Sequence, residues 1–342
     1  MTENLTMDEF KTRLETYISE QTGESAIITD ATPLAGGASR DSWALTVQVG
    51  DDVQKLVMRR DLPTTMNDNA LTREQEFNTM SAAYEIGVKV AKVRWYCGDL
   101  DVLGLPFFLM DYVEGISIGR KVIKAPELEH ARQQLPEQMA EQLALIHSLD
   151  VEQFGLDFLP TPNADYTPEQ QAILEMYDVL DSLEVHSPPF EFALRWAEQH
   201  APTQSERLFL HGDFRIGNLL VDQNGLSAVI DWEFPHVGDP HEELGYLCMR
   251  DWRFGNDHLH AGGLCKRERF IEAYEKHSKR IVNRRAVDWW EIVGNIRWGI
   301  ICMVQAERHL SGRDPSVELV SLGRRSAEMQ LEALRLIEKV GI

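Results

Sequence analysis

Three polar side chains in the middle of the chain have the types and the spacing that phosphoryl transfer requires. Asp213 and Asn218 stand in the frame H-x-D-x-x-x-x-N, which begins at His211, and Asp231 follows at the end of an apolar run. Transfer of a phosphoryl group needs a carboxylate near the attacking hydroxyl and hard oxygen ligands for magnesium. Asp213 is therefore the candidate catalytic residue, and Asn218 and Asp231 are the candidate metal ligands.

The residues between these two ligands predict a β-hairpin. The apolar run 219–222 is followed by Asn224-Gly225, a dipeptide that tolerates the positive φ angles of a tight turn. A hairpin places its two ends side by side. Asn218 and Asp231 are therefore expected to lie close together and to share magnesium.

Around these residues the chain resembles the aminoglycoside phosphotransferase family, which are small-molecule kinases with the protein-kinase fold. The family's loop motif H-G-D-x-x-x-x-N begins here at His211, its metal motif I-D-W-E begins at Ile230, and its G-D-P begins at Gly238. The sequence of these motifs is most similar to that of the kinase-like domain fused to some acyl-CoA dehydrogenases. The resemblance implies an α+β, bilobal fold, with a small sheet-plus-helix lobe and a larger, mainly helical lobe.

The resemblance also implies roles for the polar residues of these motifs. Asp213 would orient and deprotonate the substrate hydroxyl, while His211 would brace the loop without taking a chemical step. Asp239 would organise the loop from the start of the next helix. Glu233 would either support the site or face the substrate, and the sequence does not decide between these roles.

A glycine-containing turn near the N-terminus is the candidate phosphate cover. It runs from Leu34 to Arg40 and contains Gly36, Gly37 and Ser39. Glycines let backbone N–H groups approach phosphate oxygens closely. The alternative is an ordinary hairpin turn.

The candidate cation for the nucleotide phosphates is Arg59, which takes the place of the protein-kinase lysine after an apolar strand. A guanidinium can bind phosphate in bidentate fashion, so the replacement is chemically sound. Arg60 should face the opposite side of the strand and be solvated. By resemblance the acidic partner of Arg59 is Glu74, on a helix predicted over 71–86, and Glu76 is its rival.

The apolar run from Phe107 to Val113 ends before a glycine and resembles the hinge of a kinase. Backbone groups of Asp111, Tyr112 and Val113 would then hold the adenine edge, and Met110 would lie behind the ring. The alternative is a core strand with its exit turn, which uses the same residues.

The change from strand-rich to helix-rich sequence near the hinge predicts the lobe boundary. Residues 1–111 would form a nucleotide-binding lobe with a leading helix, and residues 112–342 a catalytic and substrate-binding lobe, with the active site in the cleft between lobes. Thr6 and Glu9 predict a capping box for the leading helix. The predicted buried face of that helix consists of Met7, Phe10, Leu14 and Ile18. Later helices are predicted over 127–149, 168–183, 189–200, 242–250, 267–277, 287–310 and 317–340.

Composition excludes several classes of protein. The formal net charge is −21, which disfavours nucleic-acid binding, because phosphate recognition needs a basic surface. The chain has no apolar run long enough to span a membrane and no apolar signal core near Met1, so a cytoplasmic protein is expected. The cysteines form no C-x-x-C motif and are interpreted as thiols in a reducing compartment. They are Cys97, Cys248, Cys265 and Cys302.

Aromatic and charged residues of the second lobe are the candidate substrate-side groups, although core packing is the favoured interpretation of the tryptophans. Two basic clusters offer a contact for an anionic handle such as coenzyme A, with solvated helix faces as the alternative. The aromatic and charged set is Trp252, Phe254, Trp289, Trp290, Arg297, Trp298 and Glu307; the clusters are Lys266, Arg267 and Arg269, and Lys279, Arg280, Arg284 and Arg285.

Together the motifs and the resemblance predict a kinase that uses ATP or GTP with Mg²⁺ to phosphorylate a hydroxyl of a small molecule. A metabolite such as a hydroxyacyl-CoA is preferred as the acceptor. The reason is that the motif HGDFRIGN is closer to the subset of the family that includes the dehydrogenase-fused domains. The alternatives are an aminoglycoside acceptor and a catalytically silent pseudokinase, although every base and metal position is filled. No nucleic-acid or membrane partner is expected, and a homodimer is left open.

Overall fold

The computed structural model describes residues 5–34, 40–61 and 70–341 of the chain, and it contains two compact units. The smaller unit comprises Met1–Gly115, Val151–Phe158 and Ser227–Phe234. The larger unit comprises Ile116–Asp150, Leu159–Leu226 and Pro235–Ile342.

An antiparallel sheet of five strands, in the order β1-β2-β3-β5-β4, is the framework of the smaller unit. Its strands are β1 (Ala26–Pro33), β2 (Arg40–Val49), β3 (Asp52–Asp61), β4 (Val93–Cys97) and β5 (Phe107–Asp111). Its helices are α1 (Met7–Thr22), α2 (Arg73–Glu85) and the short α3 (Leu100–Leu103), which the sequence did not predict.

The leading helix α1 begins as predicted and buries a slightly different face. The side chains of Thr6 and Glu9 form the reciprocal capping box. Phe10, Leu14 and Ile18 are buried, but Met7 is 44% exposed. Tyr17 takes its place on the buried face and donates a hydrogen bond to the carbonyl of Tyr96. Met7 lies in the first turn, nearly three turns before Tyr17.

The register of β3 determines which basic residue faces which neighbour. Arg59 pairs across the sheet with Ser42 on one side and Phe108 on the other. Arg60 faces the opposite side, as predicted, yet it is not solvated. Its guanidinium contacts the carboxylate of Asp41 at 2.5 Å and the carbonyl of Leu103 at 2.9 Å.

The larger unit is mainly helical. Its helices are α4 (Gly119–Lys124), α5 (Glu129–Ile146), α6 (Pro168–Ser182), α7 (Pro188–Gln199), α8 (His241–Cys248), α9 (Arg267–Ser278), α10 (Arg284–Leu310), α11 (Val317–Leu322) and α12 (Arg325–Val340). Strands β6 (Leu208–Leu210) and β9 (His236–Gly238) form one pair, and β7 (Leu219–Asp222) and β8 (Gly225–Val229) form the predicted hairpin. One buried apolar cluster of this unit joins residues of α6, α7, α10 and α12.

The predicted single helix over 317–340 is wrong, because the structure has two helices there. The break lies at Gly323, where a Cβ atom would come within 2.7 Å of the Cβ of Ala306 on α10. The absence of a side chain at Gly323 permits this close approach. Sequence periodicity carries no signal for it, because the contact joins two different helices.

Two further sequence-based expectations concern membranes and cysteines. Across the three described ranges, no helix combines the length and the apolarity needed to cross a membrane. All four cysteines are buried and free.

Candidate active site

The predicted catalytic loop begins with a turn that one buried carboxylate stabilises. Gly212 has φ of +85°, a left-handed conformation that favours glycine. The carboxylate of Glu243 on α8 accepts hydrogen bonds from the backbone N–H groups of His211 (3.1 Å) and Gly212 (3.0 Å). Helix α8 therefore orients the loop through the loop's backbone amides.

Glu243 is itself held by a second layer of buried polar groups. The Nε2 atom of His147 lies 2.9 Å from its carboxylate, and the Nδ1 atom lies 2.7 Å from the hydroxyl of Tyr274. Burial alone would raise the pKa of Glu243, but the hydrogen bond from His147 and the electrostatic attraction of His147 lower it overall. Sequence analysis did not identify either His147 or Glu243.

Within the described residues, the hydrogen bonds of the Asp239 carboxylate reach α8 and α10 rather than the loop, contrary to the sequence-based expectation. Its carboxylate contacts Nδ1 of His241 at 2.6 Å and accepts a hydrogen bond from the indole of Trp290 at 3.0 Å. The backbone N–H of Asn283 donates to Nε2 of His241 at 3.1 Å, so this imidazole is neutral with its proton on Nδ1. Asp239 thus joins the start of α8 to α10, while Glu243 supports the loop.

The carboxylate of Asp213 is oriented by neighbours within the loop. Asn218 donates its Nδ2 protons to the Asp213 carbonyl at 3.0 Å and to its carboxylate at 2.5 Å. The Nε atom of Arg215 lies 3.0 and 3.2 Å from the two carboxylate oxygens. The backbone N–H of Asp213 donates to Nδ1 of His211 at 3.2 Å, which places the histidine proton on Nε2.

The donor groups at the predicted metal positions fit magnesium. Because the amide nitrogen of Asn218 is bonded to Asp213, its carbonyl oxygen faces away and suits a hard cation. Asp231 has a carboxylate that is 32% exposed and a left-handed φ of +68°, which is uncommon outside glycine. Among the described residues, no group of three or more His, Cys, Asp or Glu side chains is placed to hold a metal. A magnesium ion would therefore depend on phosphate and water oxygens as well.

Asn218 belongs to the larger unit and Asp231 to the smaller one. Their joint binding of magnesium accordingly stays a prediction.

In the smaller unit, Arg59 lies between two carboxylates. Its guanidinium is 3.1 Å from Asp231 and 3.2 Å from Glu76, and its side chain is only 11% exposed. Burial alone would lower the pKa of Arg59, but the carboxylates of Glu76, Asp231 and Glu233 outweigh burial and raise it. Arg59 therefore stays a cation beside the predicted metal ligand.

The predicted pairing of Arg59 with Glu74 is wrong, and the rival Glu76 takes this position. Glu76 is fully buried and faces β3, whereas Glu74 is exposed. Side chains two residues apart on an α-helix point in directions about 200° apart, so only one of these carboxylates can face the sheet. The second partner of Glu76 is Arg73, a fully buried arginine that also contacts Asp61 at 3.0 Å. The i, i+3 spacing of Arg73 and Glu76 was the available signal for this pair.

The remaining nucleotide-side predictions have mixed outcomes. Gly36, Gly37 and Ser39 lie outside the described residues. Met110 is half-buried near the end of β5, which stops at Asp111 rather than at residue 113 as predicted.

Sheet contacts occupy two of the three predicted adenine-binding amides. Asp111 donates its N–H to the carbonyl of Lys92 at 2.9 Å, and Tyr112 donates to that of Lys55 at 3.1 Å. Within the described part of the chain, the amide of Val113 is the first after β5 that no such contact occupies.

The substrate-side candidates are mostly engaged in internal contacts. Arg297 pairs with Glu242, which also lies 3.4 Å from His236. Burial opposes ionisation of Glu242, yet Arg297 and His236 lower its pKa to about 2. Trp289 and Trp290 are core residues, as favoured.

The predicted basic clusters are largely neutralised by nearby acids. Arg267 lies 2.5 Å from Asp288, and Arg280 lies 3.1 Å from Glu206. Arg284 pairs with both Glu268 and Glu275. These contacts favour the interpretation of solvated, salt-bridged helix faces over an anion-binding surface.

Comparisons with known proteins identify a family and similar folds. The model of the APH phosphotransferase enzyme family matches residues 30–290. Acyl-CoA dehydrogenase family member 10 of Mus musculus is 33% identical over 200 residues, which are 57% of this chain and 18% of that protein. The chain thus spans less than a fifth of the length of that relative.

Two crystal structures show the same fold. A provisionally assigned aminoglycoside phosphotransferase from Ralstonia eutropha is 23% identical, with a TM-score of 0.77 and coverage of 96% of this chain and 98% of that one. A thermostable mutant of aminoglycoside phosphotransferase APH(4)-Ia, in complex with ADP and hygromycin B, is 15% identical, with a TM-score of 0.63 and coverage of 94% and 98%.

The fold and the loop motif define a phosphotransferase of the kinase-like α+β class. The chain belongs to the APH phosphotransferase enzyme family. The predicted family and fold class are confirmed.

The buried charge network of the smaller unit predicts different effects for two neighbouring glutamates. Glu76→Gln should lower the free energy of unfolding by about 3 to 5 kcal/mol, because it leaves two buried guanidinium groups without a shared counter-charge. Urea denaturation measures this change. Glu74→Gln, on the exposed face of the same helix, is the matched control and should leave the unfolding curve unchanged. Equal losses in the two variants would contradict the assignment of Glu76.

A second prediction concerns the pH dependence of stability. Burial raises the pKa of Glu169 from 4.5 to about 7, and the charge of Asp239 adds to this rise. Between these two pKa values the folded state holds a proton that the unfolded state has released, so this group makes the protein less stable as pH rises through that window. Glu169→Gln should therefore gain stability relative to wild type, by about 1 to 3 kcal/mol more at pH 8 than at pH 5.

The difference in unfolding free energy between the two proteins, taken at both pH values, isolates this group. Exposed Glu175 lies on the same helix, and Glu175→Gln should show no such pH-dependent difference. A constant difference for Glu169→Gln would show that Glu169 is ionised in the folded state.

Proposed function

We propose that the protein transfers the γ-phosphoryl group of ATP or GTP to a hydroxyl group of a small metabolite. The observation that carries the proposal is the loop in which Asn218 fixes the carboxylate of Asp213 at 2.5 Å and keeps its own carbonyl oxygen for a cation. In this proposal residues 1–111 bind the nucleotide, and residues 112–342 carry the catalytic loop and the acceptor site.

Asp213 acts on the acceptor in this reaction. Its carboxylate orients the substrate hydroxyl and accepts its proton while the hydroxyl oxygen forms a bond to the γ-phosphorus. The bond between the γ-phosphorus and the bridging oxygen breaks, and the nucleoside diphosphate leaves with the electron pair. Asn218 limits the rotation of the carboxylate, which keeps the proton acceptor in line with the hydroxyl.

Arg59 and the two oxygen ligands act on the nucleotide. Arg59 is a permanent cation at the end of a network of buried charges, so it offers a fixed donor to the α- and β-phosphates. Asn218 and Asp231 would hold magnesium, which neutralises charge on the phosphate oxygens when bound. The amide of Val113 is the proposed donor to the adenine edge, with Met110 behind the ring.

The acceptor proposed here is a hydroxyacyl-CoA or a related hydroxy acid. Support comes from the similarity to an acyl-CoA dehydrogenase family member and from charges in the larger unit. There, three acids have an arginine partner: Arg215 contacts Asp213, Arg297 contacts Glu242, and Arg325 contacts Asp251. A polycation would need carboxylates that are not already paired with arginine.

An aminoglycoside is the second candidate acceptor. The formal net charge of −21 would attract a cationic substrate over long range, and hygromycin B is bound in one similar structure.

A mass-spectrometric assay separates the two acceptors. The protein, with Mg²⁺ and either ATP or GTP, is incubated in parallel with hydroxyacyl-CoAs, the corresponding free hydroxy acids and aminoglycosides. Gain of one phosphoryl group on an acyl-CoA or hydroxy acid supports the first acceptor class. Phosphorylation of aminoglycosides alone would replace it by the second, and nucleotide binding without any product would favour the pseudokinase.

The two catalytic-site aspartates should differ in their kinetic effects. Asp213→Asn should lower kcat by about 10²- to 10⁴-fold, because it removes the proton acceptor, while the KM for the nucleotide changes little. Asp231→Asn should lower the rate and also raise the Mg²⁺ concentration required for half-maximal activity. Steady-state rates at varied Mg²⁺ measure both effects.

Asp222→Asn is the matched control, because Asp222 is exposed at the end of β7, and it should keep the wild-type rate. Near-normal turnover of Asp213→Asn would refute the role of Asp213.

A further inference from the structure

Arg215 is bonded to the catalytic carboxylate, although the loop motif does not require an arginine at this position. Its Nε atom contacts both oxygens of Asp213, at 3.0 and 3.2 Å. The arginine is 26% exposed and Asp213 is 14% exposed, so the ion pair is partly shielded from water. The guanidinium of Arg215 and the amide of Asn218 therefore both bind the carboxylate of Asp213.

An aromatic residue from outside the loop holds the face of the same guanidinium. The carbon centre of the Arg215 guanidinium lies 4.7 Å from the ring centroid of Trp252. Trp252 is only 6% exposed. The centroid of its ring lies 5.4 Å from that of Tyr246 and 5.5 Å from that of Trp298. Trp252 is therefore fixed by its own packing and limits the movement of Arg215.

The loop backbone makes room for Arg215 on a third side. A Cβ atom on Gly217 would lie 2.3 Å from Nη1 of Arg215. Any side chain at this position would displace the guanidinium. Trp252 and the carboxylate of Asp213 thus restrain the arginine from two directions, and Gly217 leaves the space that its guanidinium occupies.

We propose that Arg215 is a positioning residue, held by Trp252 in the space that Gly217 leaves open, that fixes the carboxylate of Asp213 for proton acceptance. The inference rests on the proposed kinase function. Nε donates along the edge of the carboxylate while the ring of Trp252 keeps the guanidinium plane in place, and Asn218 holds one carboxylate oxygen. An arginine held by both Asp213 and Trp252 is favoured to stay in place rather than move to bind the substrate.

Variants at the arginine and at its aromatic support test this role. Arg215→Lys keeps the charge but loses the planar group that stacks and donates through Nε. It should lower kcat by about 10- to 100-fold and leave the KM values of both substrates within about twofold. Trp252→Leu should shift kcat in the same direction, and Trp252→Phe, which keeps an aromatic face, should recover much of the loss. Arg250→Lys, at an exposed ion pair with Asp257, is the matched control.

A double-variant series distinguishes positioning from general structural damage. If Arg215 acts through Asp213, Arg215→Met should change the residual rate of Asp213→Asn by less than about twofold, because the carboxylate it positions is already gone. An equal loss of rate in both backgrounds would overturn the inference. A raised acceptor KM with unchanged kcat would also overturn it, and would make Arg215 a substrate-binding residue.

Melting temperatures of the same four proteins provide a readout that needs no turnover. The loss of melting temperature caused by Arg215→Met should shrink in the Asp213→Asn background, because the two side chains form one ion pair. A wild-type protein that phosphorylates no acceptor would refute the proposed function. In that case the effect of Arg215→Met on the melting temperature decides the inference about Arg215. A loss in the Asp213→Asn background as large as that in wild type would overturn the inference as well. A smaller loss would uphold the contact.

Discussion

The pairing of Arg59 with the fully buried Glu76 is the constraint on which the smaller unit depends. Removing a guanidinium and a carboxylate from water costs several kcal/mol for each ion, and the cost is offset only when geometry and partners are favourable. Glu76 therefore has two arginine partners, and Arg59 has Asp231 as a second carboxylate. As a result α2 must turn a charged face toward the sheet. The side chain of Arg59, beside the predicted metal ligand Asp231, has a fixed direction.

The larger unit uses buried charge in a related way, but there the charge orients backbone. Glu243 accepts hydrogen bonds from two successive amides of the predicted catalytic loop, and His147 supports it from the residue that follows α5. The turn at Gly212 needs a left-handed conformation, and the carboxylate stabilises it. Because Asp213 follows this turn directly, the position of its side chain depends on contacts made by its neighbours' main chain.

Particular elements show how far sequence reasoning reached. The loop and the hairpin were recognisable because their residues are close together in the chain and each turn has a characteristic dipeptide. The choice between Glu74 and Glu76 was wrong because both lie on one helix, and the face that docks on β3 depends on the packing of α2. The predicted helix over 317–340 failed at Gly323 for a similar reason, since the break reflects a contact with Ala306 of α10.

By itself the sequence determined the family and the fold class, and it predicted the groups suited to catalysis and metal binding, because the segment from His211 to Asp231 carries them in a fixed local order. Only the tertiary structure decided which distant side chains support these groups. Glu243 and Trp252 come from other elements, and a linear pattern does not encode which side chains meet across elements. The same physical reason applies to the acceptor, whose contacts depend on side chains from several helices.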